Sequence, residues 1–209
     1  MNDLRQAGVT APAQGRPISK VRLIGGRACL DFVNTIHDRH AEIIEDYICG
    51  PEAYLEWSRR AGLLGEAEAV AAPDAPRGRD QLMLDVRNFR DALHALFVSR
   101  IDGRPGSSKS VWLLDDWLHR AWADLSLLPT GDLGWPPSSI DARLPLKRIA
   151  LSALELLQEP TAERLKCCAA LGECGWLFYD TSKNNARRWC AMETCGTAHK
   201  MARYRSAAL

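Results

Sequence analysis

At 209 residues the chain has room for one ordinary domain and a small appendage, but not for two full-sized domains. With 46% hydrophobic and 25% charged residues it is composed like a soluble globular protein, and no apolar run approaches the roughly 18–20 residues of a membrane span; a membrane partner is excluded on that ground and a cytoplasmic location expected. The formal net charge of +1 is unevenly spread: from Thr161 onward eight Lys and Arg accompany four Asp and Glu, a tail of +4, whereas 19 basic and 22 acidic residues precede it, a body of −3. An anionic partner would be drawn to the tail.

Residues 1–18 carry Gly8, Pro12, Gly15 and Pro17 without the apolar core of a signal peptide and read as a disordered leader. Val21 to Ile24 is a short β-like run that stops at Gly25-Gly26, a pair suited to a tight turn. Leu30, Val33 and Ile36 then recur at helical spacing. A second helix opens at Pro51, where proline is tolerated, and ends near Gly62. Glu66 to Ala72 is a short helix stopped by Pro73, followed by a linker from Asp74 to Gly78. The clearest amphipathic helix follows, because Leu82, Val86, Phe89, Leu93, Leu96 and Phe97 repeat every three or four residues up to Arg100. Gly103 to Ser108 is a turn; Val111, Leu114, Leu118 and Trp122 mark another helix, and the Pro/Gly/Ser-rich stretch from Pro129 to Ser139 has room for a short hairpin. A last body helix runs from Pro145 to Glu159-Pro160. The fold class is therefore mainly α with a small β component (α+β): a helical domain over 19–160 and a small module over 161–209.

Within the body, Asp31 and Asn34 either line a ligand pocket or brace the Gly25-Gly26 turn, and together with Arg39 they are the candidate polar groups for a small-molecule or protein signal. His37 and His40 have a spacing that permits a shared metal, yet no carboxylate–histidine helix signature accompanies them, and a surface position is expected. Trp112, Trp117, Trp122 and Trp135 suit a core or a self-association face; no heptad run announces a dimer, and a homodimer stays open. No Walker, dinucleotide-binding or catalytic-serine motif occurs, so an enzyme is not expected.

Five of the seven cysteines fall between positions 167 and 195. The spacing Cys168-x5-Cys174-x15-Cys190-x4-Cys195 forms two close pairs, and an odd total without a secretion signal favours metal ligation over disulfides. Four thiolates at tetrahedral positions make a closed, structural zinc site. A module of this size buries too little apolar area to stand alone, so one zinc ion supplies folding free energy. Trp176 to Tyr179 has strand-like composition, Asp180 to Asn185 is a turn cluster and Ala186 to Trp189 returns, which predicts a hairpin joining the two pairs; Trp176 and Trp189, flanking ligand cysteines, should be buried. From Thr194 to Arg205 the chain reads as a helix. Lys183, Arg187, Arg188, His199, Lys200, Arg203 and Arg205 are the candidate nucleic-acid contacts.

The tail resembles the CGNR zinc finger proteins in Arg164-Leu-Lys, Cys168, Cys174-Gly-Trp-Leu-Phe, Asp180-Thr-Ser-Lys, Arg187-Arg-Trp-Cys190, Met192 and Cys195-Gly196. Upstream, Gly25-Gly26-Arg, Leu30-Asp-Phe-Val-Asn-Thr35 and Ala61-Gly-Leu-Leu64 resemble the companion ABATE domain. The resemblance implies a bacterial-type, stress-linked transcription regulator whose helical domain senses a signal and whose zinc domain binds DNA. One departure is Thr197-Ala198-His199 where the family has Asn-Arg, which removes the arginine of the name motif but no metal ligand. The competing readings are a zinc-rigidified protein-interaction module and a small-molecule binder built in the helical body.

Overall fold

The computed structural model describes residues 14–39, 41, 44–71, 78–170 and 174–201. The candidate residues His40, Arg203 and Arg205 fall outside them, as do the first 13 residues of the expected leader and most of the 74–78 linker. In chain order the described elements begin with β1 (Gln14–Gly15), α1 (Ala28–Val33), β2 (Glu45–Asp46), α2 (Pro51–Arg60), α3 (Glu66–Ala71) and α4 (Arg79–Ile101). They continue with α5 (Ser108–Asp124), the β3–β4 hairpin (Ser126–Leu127 with Leu133–Gly134), α6 (Leu144–Gln158), and β5 (Leu165–Cys167) with β6 (Leu177–Tyr179). The chain is mostly helical with small strand pairs, as its periodicity predicts.

The long α4 is central, packing against α5, α1 and β5, while α6 closes the bundle against α1 and α5. Its apolar positions bury Leu82, Val86, Phe89, Leu93 and Phe97. Aromatic rings link the layers: Phe32 lies 5.5 Å from Trp57 and 6.3 Å from Phe89, and Phe89 5.6 Å from Trp117. The start of α5 is fixed by Ser107, whose hydroxyl accepts from the Ser110 backbone N–H at 3.1 Å, satisfying one donor that a helix start leaves unpaired. Arg90, 2% exposed, is held by both oxygens of Asp46 at 2.8 and 2.5 Å and by Thr35 at 2.9 Å, so a charge inside the core is matched on two sides.

Three expectations are revised. Val21 to Ile24 is not a strand: its carbonyls are taken up singly, Val21 by the Arg60 guanidinium at 3.1 Å and Gly25, just beyond, by the Tyr179 N–H at 2.8 Å. Residues 14–15, at the end of the expected leader, pair in parallel with Glu45–Asp46, and Arg16 adds a 2.7 Å ion pair to Glu45. Finally, β6 pairs antiparallel with β5, Lys166 opposite Phe178, and not with 186–189.

The body and the tail do not have separate cores. Leu165, Cys168, Trp176, Leu177 and Phe178 belong to the same buried cluster as Phe32, Phe89 and Leu93. Asn34 works as a substitute strand at the junction: its amide donates to the Leu177 carbonyl at 2.8 Å and accepts from the Leu177 N–H at 2.9 Å. Trp176 Nε1 donates to the Ile36 carbonyl at 2.9 Å. A side chain at Gly25 would press on Leu30 and on the Asp31 backbone, and Gly26 has a φ of 83°, so both glycines are needed for the turn that meets β6.

Candidate metal centre and its basic surface

Cys168 follows β5 directly, and its N–H donates to the Trp176 carbonyl at 2.8 Å. Cys174 is set by a bond from its N–H to Ala170 at 3.0 Å. Cys195 lies in a wide π-helical turn, Met192–Gly196, which continues as α-helix over 197–201; the helix thus starts earlier than expected, and the wide turn swings the fourth sulfur towards the others.

The four sulfurs lie within 4.8 Å of one another, with Cys174–Cys190 at 3.5 Å and Cys190–Cys195 at 3.6 Å. A zinc tetrahedron with bonds of about 2.3 Å has edges of about 3.8 Å, so the donor set fits one zinc ion. All seven cysteines are free thiols. Hydrogen bonds from Cys174 and Cys190 hold the Cys168 thiol well below its usual range, and the same pairing pushes Cys174 and Cys190 up; a bound cation would replace that sharing of protons with four thiolates. The Cys190 N–H donates to Cys168 Sγ at 3.4 Å, stabilising negative charge on sulfur. Cys167 stays apart, its thiol directed at the Gly175 carbonyl at 3.6 Å.

A second anchor, which sequence reasoning missed, is the fully buried Asp180. Its carboxylate accepts from Lys166 Nζ at 2.7 Å, from the Ser182 N–H at 2.8 Å and from the Arg187 N–H at 2.9 Å. Burial pushes this carboxyl up, but Lys166, Ser182 and Arg187 outweigh it and hold it well below the usual carboxylate range. This is why the expected hairpin is absent: the 180–187 loop is wound around the carboxylate, with Asn185 at a φ of 48°, and residues 186–189 arrive as irregular chain. Arg164 completes the hub by donating to the carbonyls of Asp180 at 2.8 Å and Ser182 at 3.0 Å. The signal was present in Arg164-Leu-Lys and Asp180-Thr-Ser-Lys, but only pairing β5 with β6 places the two motifs together.

The candidate contact residues divide. Arg187 turns inward: it stacks 4.4 Å from the Phe178 ring centre, and its guanidinium donates to the carbonyls of Trp189 and Cys190. Lys183, Arg188 and Lys200 are exposed. Arg188 lies over the half-buried Trp189 at 5.3 Å, and His199 meets the same indole at 5.6 Å. Trp176 is buried as expected, Trp189 only in part. A groove of about 740 Å³ separates the end of α4 from β5, with Arg100 and Arg188 among its lining. Thr197, in place of the family asparagine, donates its hydroxyl to the Met192 carbonyl at 3.1 Å, and Ala198 is exposed.

The polar candidates of the body meet partners within the chain. Asp31 accepts from the Gly25 N–H at 2.8 Å, the bracing alternative; Asn34 holds Leu177; and Arg39 pairs with Asp91 at 2.7 Å. His37 is half-buried, edge-on to Tyr47 and Trp176 at 6.3 and 6.0 Å, rather than at the surface.

Among the described residues no helix is long and apolar enough to cross a membrane. None of the curated proteins matches the chain significantly. Two family models do: residues 164–208 match the CGNR zinc finger, and residues 26–160 match the ABATE family, described as "Putative stress-induced transcription regulator". With that match spanning more than half the chain and the four cysteines gathered beside it, the protein belongs to the ABATE family and carries a CGNR zinc finger at its C-terminal end.

Proposed function

We propose that this protein is a cytoplasmic DNA-binding transcription regulator in which the zinc module meets the phosphate backbone and the helical body determines when or where it does so. The observation that carries this reading is the division of the tail's cations. Arg164, Lys166 and Arg187 are tied to carbonyls and to Asp180, whereas Lys183, Arg188 and Lys200 are exposed on the scaffold those bonds make rigid. Cations held on a stiff, metal-anchored surface lose little conformational freedom on meeting phosphates. The groove continues the basic surface onto the body through Arg100. The protein acts by binding, and no catalytic step belongs to this reading.

Retention of duplex DNA by the zinc-loaded full-length chain, measured against salt concentration, tests it. Each phosphate contact contributes about one unit to the slope of log affinity on log salt. Replacing Lys183 and Arg188 together by alanine should flatten the slope by up to about two units, while Arg187→Ala should act through stability and zinc retention. A chain that keeps its zinc yet shows no salt-dependent retention of any duplex overturns the reading.

A further inference from the structure

The outer face of α5 carries chemistry that neither the core nor the zinc centre uses. Its inner face buries Leu114, Trp117, Leu118 and Ala121. On the opposite side, Trp112 is 62% and Trp122 48% exposed, an arrangement that costs free energy in a lone chain. Between them lie Asp115 and His119, also exposed. Steps of three, four and three residues bring these four side chains onto one stripe of the helix, the seam spacing of paired helices.

That stripe reads as its own complement when reversed. Trp112 and Trp122 are equally distant in sequence from Trp117, and so are Asp115 and His119. We propose that α5 joins two copies of this chain as an antiparallel pair about a two-fold axis, with Trp112 of each copy against Trp122 of the other and Asp115 against His119. A two-fold interface requires this reciprocity, because each contact must occur twice. His119 Nδ1 already turns to its own helix, 2.9 Å from the Asp115 carbonyl and 3.4 Å from its carboxylate, so Nε2 faces outward to the second copy. The ion pair of Asp116 with Arg120, at 2.8 Å, flanks the seam.

The apolar surface continues beyond the helix. Leu127 and Leu133, paired across the β3–β4 hairpin, are 75% and 69% exposed. In the antiparallel arrangement this rung extends past Trp122 to the start of the other copy's α5, where Val111 is exposed. Indoles present some 150–250 Å² each, so four half-exposed ones with two leucine rungs approach the roughly 1,000 Å² that a specific interface buries. The pairing does not depend on how the zinc module is used.

Sedimentation velocity of the zinc-loaded full-length chain should show a dimer at micromolar concentrations. Trp112→Glu and Trp122→Glu, both at exposed positions, should each give a monomer with unchanged circular dichroism and zinc content. His119→Glu should weaken the dimer about tenfold by opposing carboxylates across the axis, and D115K combined with H119E should restore it. Restoration discriminates orientation, since a parallel pair would set each new charge against its own copy. A monomeric wild type, a dimer indifferent to both tryptophan substitutions, or a double variant no tighter than His119→Glu would each overturn the proposal.

Discussion

The helical body and the zinc tail solve the same folding problem with opposite resources. The body has a 23-residue helix, α4, and a continuous aromatic core, and it buries the charge pair of Arg90 with Asp46. The tail's described strands are three residues each; its interior is four sulfurs and a carboxylate. Hydrophobic burial scales with size and metal ligation does not, so a small module gains most from polar anchors with many ligands. The contrast ends at the seam, where Trp176, Leu177 and Phe178 join the body's own core: the tail is stabilised by metal on one side and by the body on the other.

Removing the metal anchor should therefore have the largest effect and should reach across the seam. Cys190→Ser is expected to abolish stoichiometric zinc, measured by elemental analysis, and to lower the melting temperature of the whole chain rather than of the tail alone, since structural zinc contributes on the order of 10 kcal/mol. A calorimetric trace with an unshifted body transition would mean that the body's core is independent of the tail. Breaking the body's charge pair comes next: Asp46→Ala leaves Arg90 buried and unmatched and should cost about 3–5 kcal/mol in denaturant unfolding, with zinc still bound in the folded fraction.

These elements differ in how far they could be read from the chain. Helices α2, α4, α5 and α6 follow from apolar spacing and, for α2 and α6, from Pro51 and Pro145, because local periodicity and start signals decide a helix. The four ligands were legible because thiols in two close pairs have few other uses. The partner of β6 was not legible: the pairing with Leu165–Cys167 goes with the bond from Lys166, inside β5, to Asp180, just past β6, a long-range contact that no periodicity marks. The second task of Arg187 was hidden for a related reason. A cation beside another cation looks like a solvated face, and only the bonds to the carbonyls of Trp189 and Cys190 show that half-buried Arg187 also braces the module. The tryptophans of α5 could not be divided between core and surface, because Val111, Trp112, Leu114, Trp117, Leu118 and Trp122 supply apolar residues to both faces, and the sequence does not say which face the body takes.

The junction of body and tail can be weakened without removing any apolar side chain from their shared core. Asn34→Ala removes both bonds to Leu177 and leaves a buried N–H and C=O without that partner, at a cost of about 2–3 kcal/mol. Hydrogen exchange at Leu177 and its β6 neighbours should accelerate ahead of exchange in α4, separating the tail's opening from global unfolding. Equal acceleration in both would mean that Asn34 stabilises the chain as a whole and does not join its parts.

The smallest effect expected is at the turn facing that seam. Burial pushes the Asp31 carboxyl up to about 6 despite the bond from the Gly25 N–H, whereas an unfolded aspartate ionises near about 3.9. Between those values the folded chain keeps a proton that the unfolded chain has released, so the contribution of Asp31 to stability is greatest below the window and is lost as pH rises through it. Asp31→Asn keeps an oxygen for the Gly25 N–H but cannot ionise. Relative to wild type it should gain about 2 kcal/mol between pH values near 4 and 7, read from urea unfolding at saturating zinc. Taking the difference between the two chains cancels the acid sensitivity of the thiolates, which both share. A difference independent of pH would mean that water reaches Asp31 freely and that the turn is held by Gly25 and Gly26 alone.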